Sequence, residues 1–134
     1  MARATLQKEL KFKTKNETGL LGRVTSALAV SNLSIIHLSA YSVDGEGFLQ
    51  TVVADCQKAK AALEHFVKDI EERDVVVVEF ENKAGTLAGV SKILGNHDIF
   101  IDYVYGTSGD GFKIIGVFST SDNEKAVEVI NKES

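Results

Sequence analysis

The chain has 134 residues, 44% of them hydrophobic, with a formal net charge of −4, a single cysteine and no proline. That is apolar material enough for one compact domain or two small ones, and it excludes disordered and collagen-like classes. No basic cluster is denser than Lys8, Lys11, Lys13 and Lys15, and no apolar run approaches the ~18 to 20 residues of a membrane span, so neither nucleic acid nor membrane is expected as a partner.

In chain order, Leu10, Phe12 and Thr14 alternate with lysines, which predicts a half-buried strand at about residues 8 to 15. A polar turn, Asn16 to Gly19, opens a helix whose apolar residues fall at Leu20, Leu21, Val24, Ala27 and Leu28 and which ends near Asn32. Leu33 to Val43 reads as a second strand, Asp44-Gly45-Glu46-Gly47 as a hairpin turn, and Phe48 to Ala54 as the returning strand. Leu63, Phe66, Val67 and Ile70 predict an amphipathic helix over Lys58 to Glu72. The order then repeats: a strand at Val75 to Phe80, a helix at Thr86 to Asn96, and strands at about Ile99 to Tyr105 and Phe112 to Ser119. A closing helix at Asn123 to Lys132 completes the second copy.

The repeat is visible in the letters themselves. Asn16-Glu17-Thr18-Gly19-Leu20-Leu21-Gly22-Arg23-Val24 returns as Asn82-Lys83-Ala84-Gly85-Thr86-Leu87-Ala88-Gly89-Val90, a displacement of 66 residues from 16 to 82. Two β-α-β-β-α copies, 1–73 and 74–134, imply an α+β, ferredoxin-like fold, with one antiparallel sheet and helices on one face. Neither copy holds the last strand of a β-α-β-β-α-β unit. Val75 to Phe80 is therefore expected to close the first unit while opening the second, pairing antiparallel with the first strand. A sheet with one bare face predicts a homodimer.

Strand, Asn-x-x-Gly-x-Leu-x-x-Val, helix, strand, glycine hairpin, strand, helix resembles the ACT domain, a small regulatory module that senses amino acids, and the resemblance covers nearly the whole chain as a pair. Asn32-Leu33-Ser34-Ile35 and Asp98-Ile99-Phe100-Ile101 match the exit from the helix into the second strand. The chain departs from the family in using Thr18 and Ala84 where proline is frequent, and in placing Phe100 where the first copy has Ser34.

The resemblance implies a non-enzymatic, stand-alone regulator in the cytoplasm that binds a free amino acid and modulates a partner in amino-acid metabolism, with a metabolic enzyme as the candidate partner. The implied ligand residues are Asn16, Gly19, Leu20 and Ser34 in the first copy and Asn82, Gly85, Thr86 and Leu87 in the second. The residues suit that chemistry on their own terms. Backbone N–H groups at a helix start are unpaired and favour a carboxylate, glycine lets a ligand approach the backbone, and an asparagine amide offers both donor and acceptor.

Asparagine and glycine are also what a strand-to-helix turn uses without any ligand. A structural dimerisation module or an accessory subunit of an enzyme is therefore the alternative reading. His37, His65 and His97 have no metal-ligand spacing, Cys56 stands alone, and Asp55, Asp69 and Asp102 form no carboxylate pair, so no catalytic residue, metal or cofactor is expected. Ser108 to Gly111 resembles a phosphate loop in composition alone and reads as a hairpin turn.

Overall fold

The structure, a computed structural model, describes residues 2–65, 67 and 69–134. Two compact units emerge, Lys8–Arg73 and residues 2–7 together with Asp74–Ser134. Among the described residues ten elements run β1 (Arg3–Lys15), α1 (Leu20–Val30), β2 (Ile35–Val43), β3 (Glu46–Val53), α2 (Cys56–Leu63), β4 (Glu71–Glu81), α3 (Thr86–Asn96), β5 (Ile101–Thr107), β6 (Lys113–Thr120) and α4 (Asn123–Glu133). Each repeat is the expected β-α-β-β-α, with antiparallel pairing and both helices on one face of its sheet, the ferredoxin-like arrangement.

In the unit Lys8–Arg73 the strand order is β2-β3-β1. The turn Asp44-Gly45 has φ of 50° and 80°, the left-handed pair a two-residue hairpin needs, and it sets Tyr41 opposite Phe48 and Val43 opposite Glu46. Across the next ladder Phe12 faces Leu49 and Thr14 faces Gly47. The alternation read from the sequence puts Leu10, Phe12, Leu49 and Val53 on the face that receives Val24 and Leu28 of α1 and Ala59 and Leu63 of α2.

The other unit has the order β1-β4-β6-β5, and the strand beside β4 is the N-terminal part of β1. Val75 to Val78 are all buried, as a strand flanked on both sides requires. Val76, Val78, Phe80 and Phe118 pack beneath Val90 and Leu94 of α3 and Ala126 and Ile130 of α4. The Asn131 side chain grips the edge like a neighbouring strand: its Oδ1 accepts from the Ala4 N–H at 2.7 Å and its Nδ2 donates to the Ala4 carbonyl at 2.9 Å.

Three element bounds depart most from the sequence reading, among them the start of β4, at Glu71 rather than Val75. β1 begins at Arg3 rather than near residue 8, because Ala2 and Ala4 are small enough to be covered by α4 although they carry little apolar signal. The second helix spans Cys56–Leu63 rather than Lys58 to Glu72, capped at its start by the Asp55 side chain, which accepts from the Lys58 N–H at 3.1 Å. Downstream, Asp69 takes a left-handed φ of 56° and the chain is already extended at Glu71, so the apolar spacing that suggested helix through Ile70 belongs in part to the approach to β4. Phe66, expected on that helix's stripe, lies outside the described residues.

Candidate functional site

Both polar loops enter their helices the same way. Gly19 (φ 83°) and Gly85 (φ 92°) are left-handed N-caps, a conformation that suits glycine, and neither helix has a side-chain cap. The Leu20 N–H donates to the Glu17 carbonyl at 3.1 Å, and the Thr86 N–H to the Lys83 carbonyl at 3.3 Å. Regular helix bonding resumes at Arg23→Gly19 and Gly89→Gly85, so the N–H groups of Leu21 and Gly22, and of Leu87 and Ala88, point outward at the positive end of each helix. A Cβ built at Gly19 or Gly85 would meet nothing within 4 Å, so the approach to both caps is open.

A cavity lies beside each loop. In the first copy an open cavity of ≈ 350 Å³ is lined by Asn16, Glu17, Gly19 and Leu20, by Leu21 and Gly22 of α1, and by Ala40, Tyr41, Ser42, Gly47, Phe48 and Leu49 of the β2–β3 hairpin. In the second copy ≈ 370 Å³ lies among Phe80, Asn82, Leu87, Val104 to Ser108, Ile114, Gly116 and Phe118. Both volumes fall in the range of small-molecule sites, about 300 to 1,000 Å³. Hairpin register builds the first of them: pairing Tyr41 with Phe48 stacks their rings at 5.2 Å, and Thr14 opposite Gly47 leaves room that a Cβ on Gly47 would take from Leu20, at 2.9 Å.

The anticipated ligand residues divide between these places. Asn16, Gly19 and Leu20 line the first cavity, and Asn82 and Leu87 line the second. Ser34 is exposed in the α1–β2 connection and lines neither; Gly85 also lies outside the second cavity. Thr86 instead lines a third cavity, of ≈ 350 Å³, with Phe80, Val90, Ile93 and the end of α4, and its hydroxyl bonds the carbonyls of Glu81 (2.7 Å) and Lys83 (2.9 Å). Tyr41, Ser42 and Phe48 were not expected as ligand residues from the sequence, where Tyr41 read as a sheet-packing or dimer contact. Only the hairpin register carries them to the loop.

The two asparagines differ. Asn16 donates its backbone N–H to the Gly45 carbonyl at 2.9 Å, and its side-chain amide has no hydrogen bond among the described residues. Asn82 donates its N–H to the Phe112 carbonyl at 2.8 Å and its side-chain Nδ2 to the Gly111 carbonyl at 3.0 Å, clasping the longer β5–β6 turn. That turn also uses Ser108, whose Oγ accepts from the Gly111 N–H at 2.8 Å, and Asp110, whose carboxylate accepts from Phe112 and Lys113 at 2.8 and 3.0 Å. Hydrogen bonds from the Lys113 and Phe112 amides hold the Asp110 carboxyl below its ordinary pKa. Ser108 to Gly111 thus makes a hairpin turn. His37, half-buried on β2 with its pKa lowered by burial, lines none of these cavities.

Residues 5–134 match the family model described as an ACT domain pair. Protein BT0572 from Bacteroides thetaiotaomicron is 29% identical, with a TM-score of 0.87 over 97% of this chain and 90% of that one. The regulatory subunits of aspartate kinase from Thermus thermophilus and Thermus flavus are 15% and 17% identical, with TM-scores of 0.74 and 0.71. These two alignments cover 96% and 98% of this chain and 95% of each subunit, a likeness of fold. No curated protein matches the sequence. With the loop motif, the topology and the family model agreeing over almost its full length, the chain belongs to the ACT domain family as an ACT domain pair.

Proposed function

We propose that this protein is a non-catalytic regulator that binds a free amino acid and, as a homodimer in the cytoplasm, alters the behaviour of a partner enzyme of amino-acid metabolism. The observation that carries the reading is the cavity of ≈ 350 Å³ into which the Asn16-to-Gly22 loop and helix start face. The unpaired N–H groups of Leu21 and Gly22 suit the ligand's carboxylate, and the free Asn16 amide suits its ammonium group, beside the Glu17 carboxylate, one oxygen of which accepts from Arg23 at 3.0 Å. Membership of a family of paired ACT domains, and a fold shared with subunits named as regulatory, support the same reading.

The test is a thermal-shift screen against the common amino acids. A ligand at a hundred times its dissociation constant stabilises the folded state by ~2.7 kcal/mol, a melting shift of roughly 8 °C for a chain of this size. If no amino acid moves the midpoint, the sensing role fails. The alternative, a structural module without a ligand, is favoured by one observation, the Asn82 amide engaged in its own hairpin.

A further inference from the structure

We infer that the chain takes up a single amino acid, in the cavity of the first copy, and that this ligand has an uncharged side chain; the inference rests on the amino-acid reading above. The two cavities sit at matching places in the repeat but present different chemistry. The displacement of 66 residues lays Glu17 on Lys83. Glu17 lines the first cavity, whereas no charged side chain lines the second. An incoming ammonium group therefore meets a carboxylate in one copy and none in the other, where Lys83 at the equivalent position is paired with Glu81 at 3.0 Å.

The amides reinforce the contrast. Asn16 keeps its donor and acceptor for a ligand, and Asn82 is turned away to the Gly111 carbonyl. The walls differ in the same sense: Ser42 and loop backbone line much of the first cavity, whereas Phe80, Leu87, Val104, Ile114 and Phe118 line the second. A zwitterion entering the second would shed water and recover few hydrogen bonds. Glu17 is the one charged group on the first cavity's wall: its Oε2 accepts from the Arg23 guanidinium at 3.0 Å and its Oε1 is left for the ammonium group, while Arg23 itself does not line the cavity, so a charged ligand side chain finds no counter-ion of its own there. The stacked rings of Tyr41 and Phe48 give an uncharged side chain a flat apolar surface.

The experiment is isothermal titration of the full chain with L-serine, L-threonine, L-leucine and L-phenylalanine, with L-lysine and L-aspartate for comparison. Amide NMR of the same samples reports which loop responds. Expected are one equivalent per chain for a neutral amino acid, movement of the Gly19 amide but not the Gly85 amide, and a loss of affinity on the order of tenfold or more in Glu17→Gln. Lys83→Ala should bind as the parent does. Two equivalents per chain, a shift at Gly85, undiminished binding by Glu17→Gln, or a preference for L-lysine or L-aspartate overturns the inference and leaves amino-acid sensing standing. Silence with all six probes, joined to a negative thermal-shift screen, removes both.

Discussion

Asn16 and Asn82 are the same letter at the same place in the repeat, and the structure gives them different work. Truncating Asn82 deletes its bond to the Gly111 carbonyl, so Asn82→Ala should lower stability by ~1 kcal/mol in urea unfolding, while Asn16→Ala leaves the unliganded protein nearly unchanged. From sequence alone both amides read as free for a ligand; the five residues between β5 and β6 are what engage one of them. Asp110 holds that turn from the other side. Because its folded pKa lies below the ordinary value of ~3.9, the ionised form supports the turn above that pH, and the support is lost as pH falls through the depressed folded value. An acid titration followed at the Phe112 and Lys113 amides should therefore show a midpoint below that of a free aspartate, and Asp110→Asn should abolish it.

Among the elements, the β5–β6 ladder is tight where α3 is open. A Cβ on Gly106 would meet the Ile115 carbonyl oxygen at 2.6 Å, and backbone cannot swing aside as a side chain can, so Gly106→Ala should cost roughly 1 to 3 kcal/mol. Gly89, inside α3, has nothing within 4 Å of the same added atom, and Gly89→Ala should raise stability by about 0.5 to 1 kcal/mol through helix propensity alone. Parallel denaturant curves of the two variants check both signs. The grip of Asn131 on Ala4 predicts a third effect: in Asn131→Ala the amides of residues 3–7 should exchange hydrogen faster than those at the centre of β4, because the two bonds that tie this edge to α4 are gone.

At the scale of the whole chain, β1 is one unbroken strand whose residues 3–7 belong to one compact unit and 8–15 to the other. The unit containing Asp74–Ser134 does not keep all its strands if the chain is cut between Arg73 and Asp74, so a fragment of residues 74–134 should lack the strand beside β4 and be markedly less stable than the intact protein. The intact chain is expected to unfold in a single calorimetric transition. Tyr41 and Val43 share one face of the edge strand β2 and remain exposed there, which supports the homodimer. Sedimentation at tens of micromolar should return twice the 14.5 kDa of one chain; a monomer there would remove the dimer from the proposal.

Period and punctuation made much of this legible. Apolar spacing identified the helices at Leu20 and Thr86, glycine and asparagine marked their starts and the hairpin turns, and the repeat of the Asn16 and Asn82 loops pointed to the topology and the family, because these signals are local and each copy states them again. What lay beyond them depends on contacts distant in sequence. Residues 3–7 carry little apolar signal and become a strand because β4 and α4 supply neighbours. Asp69 interrupts a helical spacing through a backbone angle that composition does not encode. The register of Tyr41 against Phe48, and the reach of the Gly111 turn to Asn82, were decided only by the folded chain, since cavity walls and hydrogen-bond partners are set by which strands lie side by side.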